Sequence, residues 1–123
     1  MNQSLVKETR SGSVQGAWAD KTAGIQVFRG VPFAQPPVGE LRWRPPAPIK
    51  PWRDVKSAEH FGPACYQAFS EDAFVWSRGT FKRSEDCLYL NIWAESEPAE
   101  PLPVLGWFHG GAHTGGFAHV ELF

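Results

Sequence analysis

The stretch Leu102-Pro103-Val104-Leu105-Gly106-Trp107-Phe108-His109-Gly110-Gly111-Ala112-His113-Thr114-Gly115-Gly116 decides the fold. Its first seven residues are a nearly continuous apolar run, the pattern of a strand covered on both faces in the middle of an α/β sheet. A glycine-rich loop follows directly. Backbone N–H groups in such a loop can point into a pocket without obstruction by Cβ atoms. The expectation is a strand over residues 102–108 with residues 110–112 at its C-terminal end. A strand buried on both faces needs covering helices, and the chain offers no helical pattern long enough to supply them. The sequence therefore reads as the front of a larger α/β domain.

Working back from that stretch, Cys87-Leu88-Tyr89-Leu90-Asn91-Ile92-Trp93 alternates, with Leu88, Leu90 and Ile92 on one face, and residues 95–103 form a polar turn. Near the N-terminus, Ser13-Val14-Gln15-Gly16-Ala17-Trp18 and Gly24-Ile25-Gln26-Val27-Phe28-Arg29 flank Asp20-Lys21-Thr22-Ala23 and read as an antiparallel hairpin. The segment from Gly30 to Gly39 carries Pro32, Pro36 and Pro37, which excludes a helix or a central strand. Arg42, Arg44, Lys50, Arg53 and Lys56 stand against the one anion Asp54. The four prolines among them favour a solvated loop over a nucleic-acid patch. Residues 57–86 show no sustained period and read as a long surface excursion. Residues 1–11 read as an N-terminal tail, and residues 12–123 as the N-terminal part of one domain, ending before its nucleophile.

Composition agrees with a globular chain. Of 123 residues, 42% are hydrophobic and 14% aromatic, with six tryptophans, so the sequence is not of the disordered class. Twelve basic against thirteen acidic residues exclude a strongly basic nucleic-acid binder and a polyacidic tail. No run approaches the ~18 apolar residues of a membrane span. No apolar signal region follows Met1, so a cytoplasmic protein is expected.

The glycine-rich loop has two readings from its residues alone. It is a flexible turn, or it is a pair of backbone donors for the negative oxygen of a tetrahedral intermediate, as in the His-Gly-Gly loops of lipases and esterases. A phosphate cradle would need Gly-Lys-Ser/Thr, and no lysine follows Lys82. His109, His113 and His119 are spaced by four and six without a neighbouring Cys or Asp, which argues against a metal. No cofactor is expected.

Four segments carry a broader resemblance. They are residues 24–39, Leu41-Arg42-Trp43-Arg44-Pro45-Pro46, Ser84-Glu85-Asp86-Cys87-Leu88-Tyr89-Leu90-Asn91-Ile92-Trp93, and His109-Gly110-Gly111-Ala112. In this order they resemble the N-terminal part of the type-B carboxylesterase family. The Glu-Asp-Cys-Leu-Tyr-Leu-Asn stretch is similar to one of that family's two signatures. The resemblance implies an α/β-hydrolase fold several hundred residues long, of which this chain would be the first quarter: a hairpin, long loops and the first sheet strands, without the covering helices.

The resemblance also implies roles. The N–H groups of Gly111 and Ala112 would be the oxyanion donors, with Gly110 as the permissive turn and His109 as an orienting loop residue. None of Ser4, Ser11, Ser13, Ser57, Ser70, Ser77, Ser84 and Ser96 sits in G-x-S-x-G. The nucleophile, its acid and its histidine are therefore expected outside this chain, and the chain alone is expected to be inactive. Cys65 and Cys87 match a pair that closes a surface loop in the family, as a disulfide or as two reduced thiols. Trp76 stands one position out of register with a cation-binding tryptophan of cholinesterases and reads as a packed or rim aromatic. Arg42 and Glu85 resemble a buried ion pair that anchors the same loop. The implied activity is hydrolysis of small carboxylic esters through an acyl-serine. The alternative is a non-catalytic adhesion or binding member of the same fold.

Overall fold

Asp20 turns the chain on itself. Its Oδ1 accepts hydrogen bonds from the N–H groups of Thr22 and Ala23 at 2.9 and 3.0 Å, and Gly24 completes the turn at a φ of +72°. This joins β3 (Ala17–Asp20) to β4 (Ile25–Pro32) as the expected antiparallel hairpin. On the other edge of β4 lies β6 (Tyr89–Glu95), also antiparallel, which makes a three-stranded sheet in the order β3-β4-β6. The computed structural model describes residues 5–67 and 82–118.

A second sheet, in the order β1-β2-β5, holds β1 (Val6–Thr9), β2 (Gly12–Gln15) and β5 (Lys56–Ser57). The segment expected as a tail thus contributes β1, paired antiparallel with β2 from Val6 opposite Gln15 to Thr9 opposite Gly12. The expected continuous strand over residues 13–18 is also divided. Its first half joins β2 and its second half β3, and the break falls at buried Gly16. A Cβ there would come within 2.5 Å of the Val27 carbonyl and 2.7 Å of the Phe28 ring, so the chain passes β4 too closely for any side chain.

One irregularity in β4 lets it serve both sheets. Between Phe28 and Val31 the register with β6 shifts. There Arg29 N–H leaves the ladder for the Ala58 carbonyl at 2.7 Å, beside the second sheet. Gly30, at a φ of +65°, gives its N–H to Asn91 Oδ1 at 2.9 Å. Val14, Phe28, Val31 and Ala58 form the resulting core, with Trp52 packed against it and its Nε1 donating to Ser13 O at 2.9 Å. A cavity of about 360 Å³ opens beside this core, lined by residues such as Val14, Val31, Lys56 and Tyr89. It does not include the glycine-rich loop.

The proline-rich segment after β4 behaves as its sequence demands. A single 3-10 turn (Gly39–Leu41) is followed by mostly exposed irregular chain up to β5. The described ends of the long excursion are pinned by a parallel bridge between Ala64 and Arg83.

The largest correction concerns residues 102–108. The expected strand does not form: the run has no regular secondary structure, and Val104 and Phe108 are 95% and 93% exposed. The physical reason is pairing. A strand exists only against a neighbouring edge, and no backbone hydrogen bond joins this run to the described sheets. The apolar pattern of β6 fares similarly, since Leu90 and Ile92 point to an exposed face. The described residues include no α-helix to cover either surface.

Candidate active site

The glycine-rich loop is built by positive φ angles. Gly111 sits at +138° and Gly116 at +114°, where glycine carries no penalty. Ala112 and His113 sit at +51° and +61°, a left-handed conformation that costs non-glycine residues roughly 1–2 kcal/mol each. Residues 111–116 therefore curl into a tight turn. Thr114 and Gly115 donate their N–H groups to the Gly111 carbonyl at 2.9 and 3.3 Å, and the Thr114 hydroxyl donates to the same oxygen at 3.0 Å. The turn's own bonds do not use the N–H groups of Gly111 and Ala112. Both residues are exposed.

His109 faces its own loop. Its Nδ1 lies 2.8 Å from the Gly110 carbonyl and donates to it when that nitrogen carries the proton. His113 is exposed, and His119 lies outside the described residues. Among the described residues no three His, Cys, Asp or Glu side chains group as metal ligands would.

Two side chains that sequence reasoning did not single out tie this loop to the sheets. Gln67 accepts the Gly116 N–H at its Oε1 (2.7 Å) and donates from Nε2 to the Gly116 carbonyl (3.0 Å) and to the Cys65 carbonyl (3.2 Å). Asn91, which caps the β4 bulge, also donates from Nδ2 to the Ala118 carbonyl at 3.3 Å. Nothing in the local sequence marks Gln67, because its partner lies 49 positions away. Asn91 stood within the recognised signature, without an assigned role.

Cys65 and Cys87 are brought together, with their sulfurs 2.7 Å apart and both as free thiols. Burial, the hydrogen bond with Cys65 and the nearby charges of Cys65, Asp86 and Glu85 push the Cys87 thiol up from 9.0 to about 12. Beside it, burial and a hydrogen bond with Asp86 push the Tyr89 hydroxyl from 10.0 to about 12. Arg42 Nη2 meets Glu85 Oε2 at 2.5 Å. The pair exists, but it is not the buried one expected: the two side chains are 53% and 37% exposed, because no described layer lies over them. Trp76 lies outside the described residues.

Residues 3–120 match the model of the carboxylesterase family, which is nearly the whole chain. The chain belongs to the carboxylesterase family. It is 42% identical over 120 residues to the fumonisin B1 esterase of Sphingopyxis macrogoltabida, and 40% identical over 128 residues to the acetylcholinesterase of Bungarus fasciatus. Each match covers 97% of this chain and 21% of the relative, so the chain spans about a fifth of the length of the curated relatives it matches. Among solved structures, a PNB esterase superposes with a TM-score of 0.80 at 38% identity, over 91% of this chain and 22% of that one. The carboxylesterase of Geobacillus stearothermophilus gives 0.73 at 39%, over 91% and 21%. The chain is thus an N-terminal portion of an α/β-hydrolase fold, and its described residues hold strands and one 3-10 turn but no α-helix.

Proposed function

We propose that this segment supplies the oxyanion-binding loop of a serine carboxylic ester hydrolase. The observation that carries the reading is the loop itself: in a carboxylesterase-family chain, left-handed Ala112 follows Gly111, and the N–H groups of both are left out of the turn's own hydrogen bonds. Strained backbone of this kind concentrates at functional sites. A serine on a further part of the protein attacks the ester carbonyl, and the negative oxygen that develops is held by these two donors. The intermediate collapses by breaking the ester C–O bond, the protonated alcohol leaves, and water then hydrolyses the acyl-serine to the carboxylic acid and free serine. Gly110 gives the loop its freedom to turn, and His109 orients it through the Gly110 carbonyl. The catalytic histidine, acid and nucleophile belong to the remaining part of such an enzyme.

Cys65 and Cys87 fit the same reading. As a disulfide the pair would close the loop between them and stabilise the fold by roughly 3 kcal/mol on the chain-entropy model. The pair Arg42–Glu85 braces the same loop from outside.

The test uses a full-length esterase carrying residues 5–118 as its N-terminal segment. Its kcat/KM for a p-nitrophenyl ester is compared with that for the matching thionoester, whose sulfur suits N–H donors less well. Strong discrimination against the thionoester supports the oxyanion role. Equal turnover of the two substrates, or no turnover of either, overturns it.

A further inference from the structure

We propose that Gln67 is a positioning residue for the oxyanion loop, and this inference rests on the oxyanion reading above. A primary carboxamide offers one acceptor oxygen and two donor hydrogens, and Gln67 uses both functions on one residue. Its Oε1 takes the N–H of Gly116 at 2.7 Å while its Nε2 gives to the carbonyl of the same residue at 3.0 Å. Two bonds to one residue fix its rotation as well as its position. A single bond would leave Gly116 free to turn about φ and ψ, as glycine readily does.

Gly116 is in turn packed directly on the donor end of the loop. A Cβ on Gly116 would collide with the Gly110 carbonyl and lie 2.5 Å from His109 Nδ1. A Cβ on Gly111 would collide with the Gly115 carbonyl. Residues 115–116 therefore form the floor on which residues 109–111 rest, with no side chain between them. Whatever fixes the floor fixes the direction of the Gly111 and Ala112 N–H groups.

The clamp is anchored away from the loop. Gln67 Nε2 also donates to the Cys65 carbonyl at 3.2 Å, and Arg83 Nη1 donates to the Gln67 carbonyl at 3.2 Å. Both anchors lie beside the close pair Cys65–Cys87 and the Ala64–Arg83 bridge. Gln67 itself is half-buried and stands outside the apolar core, so its removal leaves that core intact. Its effect falls on the donors. A misplacement of about 1 Å in a reacting group costs on the order of 10²-fold in rate.

The experiment uses the same full-length esterase, with Gln67→Met and Gln67→Glu variants. Methionine keeps the length of the side chain and loses all three hydrogen bonds, whereas glutamate keeps the acceptor and loses the donors. Two readouts are kcat against KM for a p-nitrophenyl ester, and the inhibition constant of a trifluoromethyl ketone whose adduct carries the oxyanion. The expected result for Gln67→Met is a fall in kcat of about 10- to 100-fold, with KM within about threefold and inhibitor affinity weakened by the same factor as kcat/KM. Gln67→Glu sets a carboxylate oxygen against the Gly116 and Cys65 carbonyls, so its kcat should fall at least as far, and it carries the test alone if the methionine variant does not fold. A folded variant with kcat and inhibitor affinity within about twofold of the parent overturns the clamp, as does a change confined to KM. The parent's ester-to-thionoester ratio separates the two levels. If it is large while the variants stay fully active, only the clamp fails; if it is near one, the oxyanion role fails first.

Discussion

Arg42 Nη2 reaches Glu85 Oε2 at 2.5 Å across 43 positions of sequence, with both side chains open to solvent. Removing one partner of a buried ion pair costs several kcal/mol, because an unpaired charge is left in a low dielectric. An exposed pair is worth about 0.2–1 kcal/mol and is screened by salt. A double-mutant cycle on Arg42→Ala and Glu85→Ala, read by urea unfolding of a full-length esterase carrying this segment, is therefore expected to give a coupling in that lower range that shrinks in 1 M salt. A coupling of several kcal/mol at any salt concentration contradicts the exposed geometry.

Gly16 predicts a steric cost of a different kind. The nearest obstacles to a Cβ are the Val27 carbonyl and the Phe28 ring, both part of β4, and neither is the far end of a flexible side chain. Gly16→Ala should destabilise by about 1–3 kcal/mol, the usual range for overpacking. Gly39→Ala is the contrast: nothing lies within 4 Å of its Cβ position, so only its φ of +55° opposes the change. Thermal unfolding of both variants should rank Gly16→Ala as the less stable.

The exposed run at residues 102–108 makes the isolated chain adhesive. Val104, Leu105, Trp107 and Phe108 are 85–95% exposed with no described cover, and Leu90 and Ile92 of β6 are exposed as well. The 123-residue chain is expected to bind hydrophobic dyes and to sediment as a mixture of associated forms. Replacing Val104 and Leu105 by lysine should reduce both. It should also turn over no p-nitrophenyl ester above buffer.

Alkaline pH should loosen the fold through Cys87 and Tyr89. Both groups titrate at about 12 in the folded chain, above ordinary values of 9.0 and 10.0. The unfolded chain therefore releases these protons first as pH rises, and stability present below pH 9 declines progressively up to about pH 12. Tyr89→Phe and Cys87→Ser should each flatten the decline measured by thermal unfolding. So should oxidation of Cys87 with Cys65, because the disulfide removes the titrating thiol. In the full-length reduced protein, a Tyr89→Phe or Cys87→Ser variant that declines as steeply as the parent between pH 8 and pH 11 contradicts the shifts.

The sequence disclosed what depends on neighbours in the chain. The turn at Asp20 and Gly24 was legible because an Asx turn and a left-handed glycine are local devices. The family and the glycine-rich loop were legible from short motifs. The break at Gly16 was not, since it comes from the approach of a strand whose own position is a tertiary fact. The run at residues 102–108 carries the apolar pattern of a buried strand, but pattern states what a segment suits and pairing decides what it becomes. Gln67 was illegible for the same reason as Gly16: its meaning lies in Gly116, far along the chain.

The pairing of β4 with β6 also has a consequence for biosynthesis. Its rungs join residues as distant as Pro32 with Tyr89 and Ile25 with Glu95, which are 57 and 70 positions apart. The β3–β4 hairpin has only a short turn to close and can form as soon as it leaves the ribosome. At the usual ~5–20 residues per second, roughly 3–14 s pass before the matching part of β6 has been synthesised. Through that interval the second edge of β4 stands open, with Val27 and Phe28 awaiting burial. A nascent chain halted between residues 32 and 89 should therefore be a preferred client of ribosome-associated chaperones, and one released after residue 95 a poorer one.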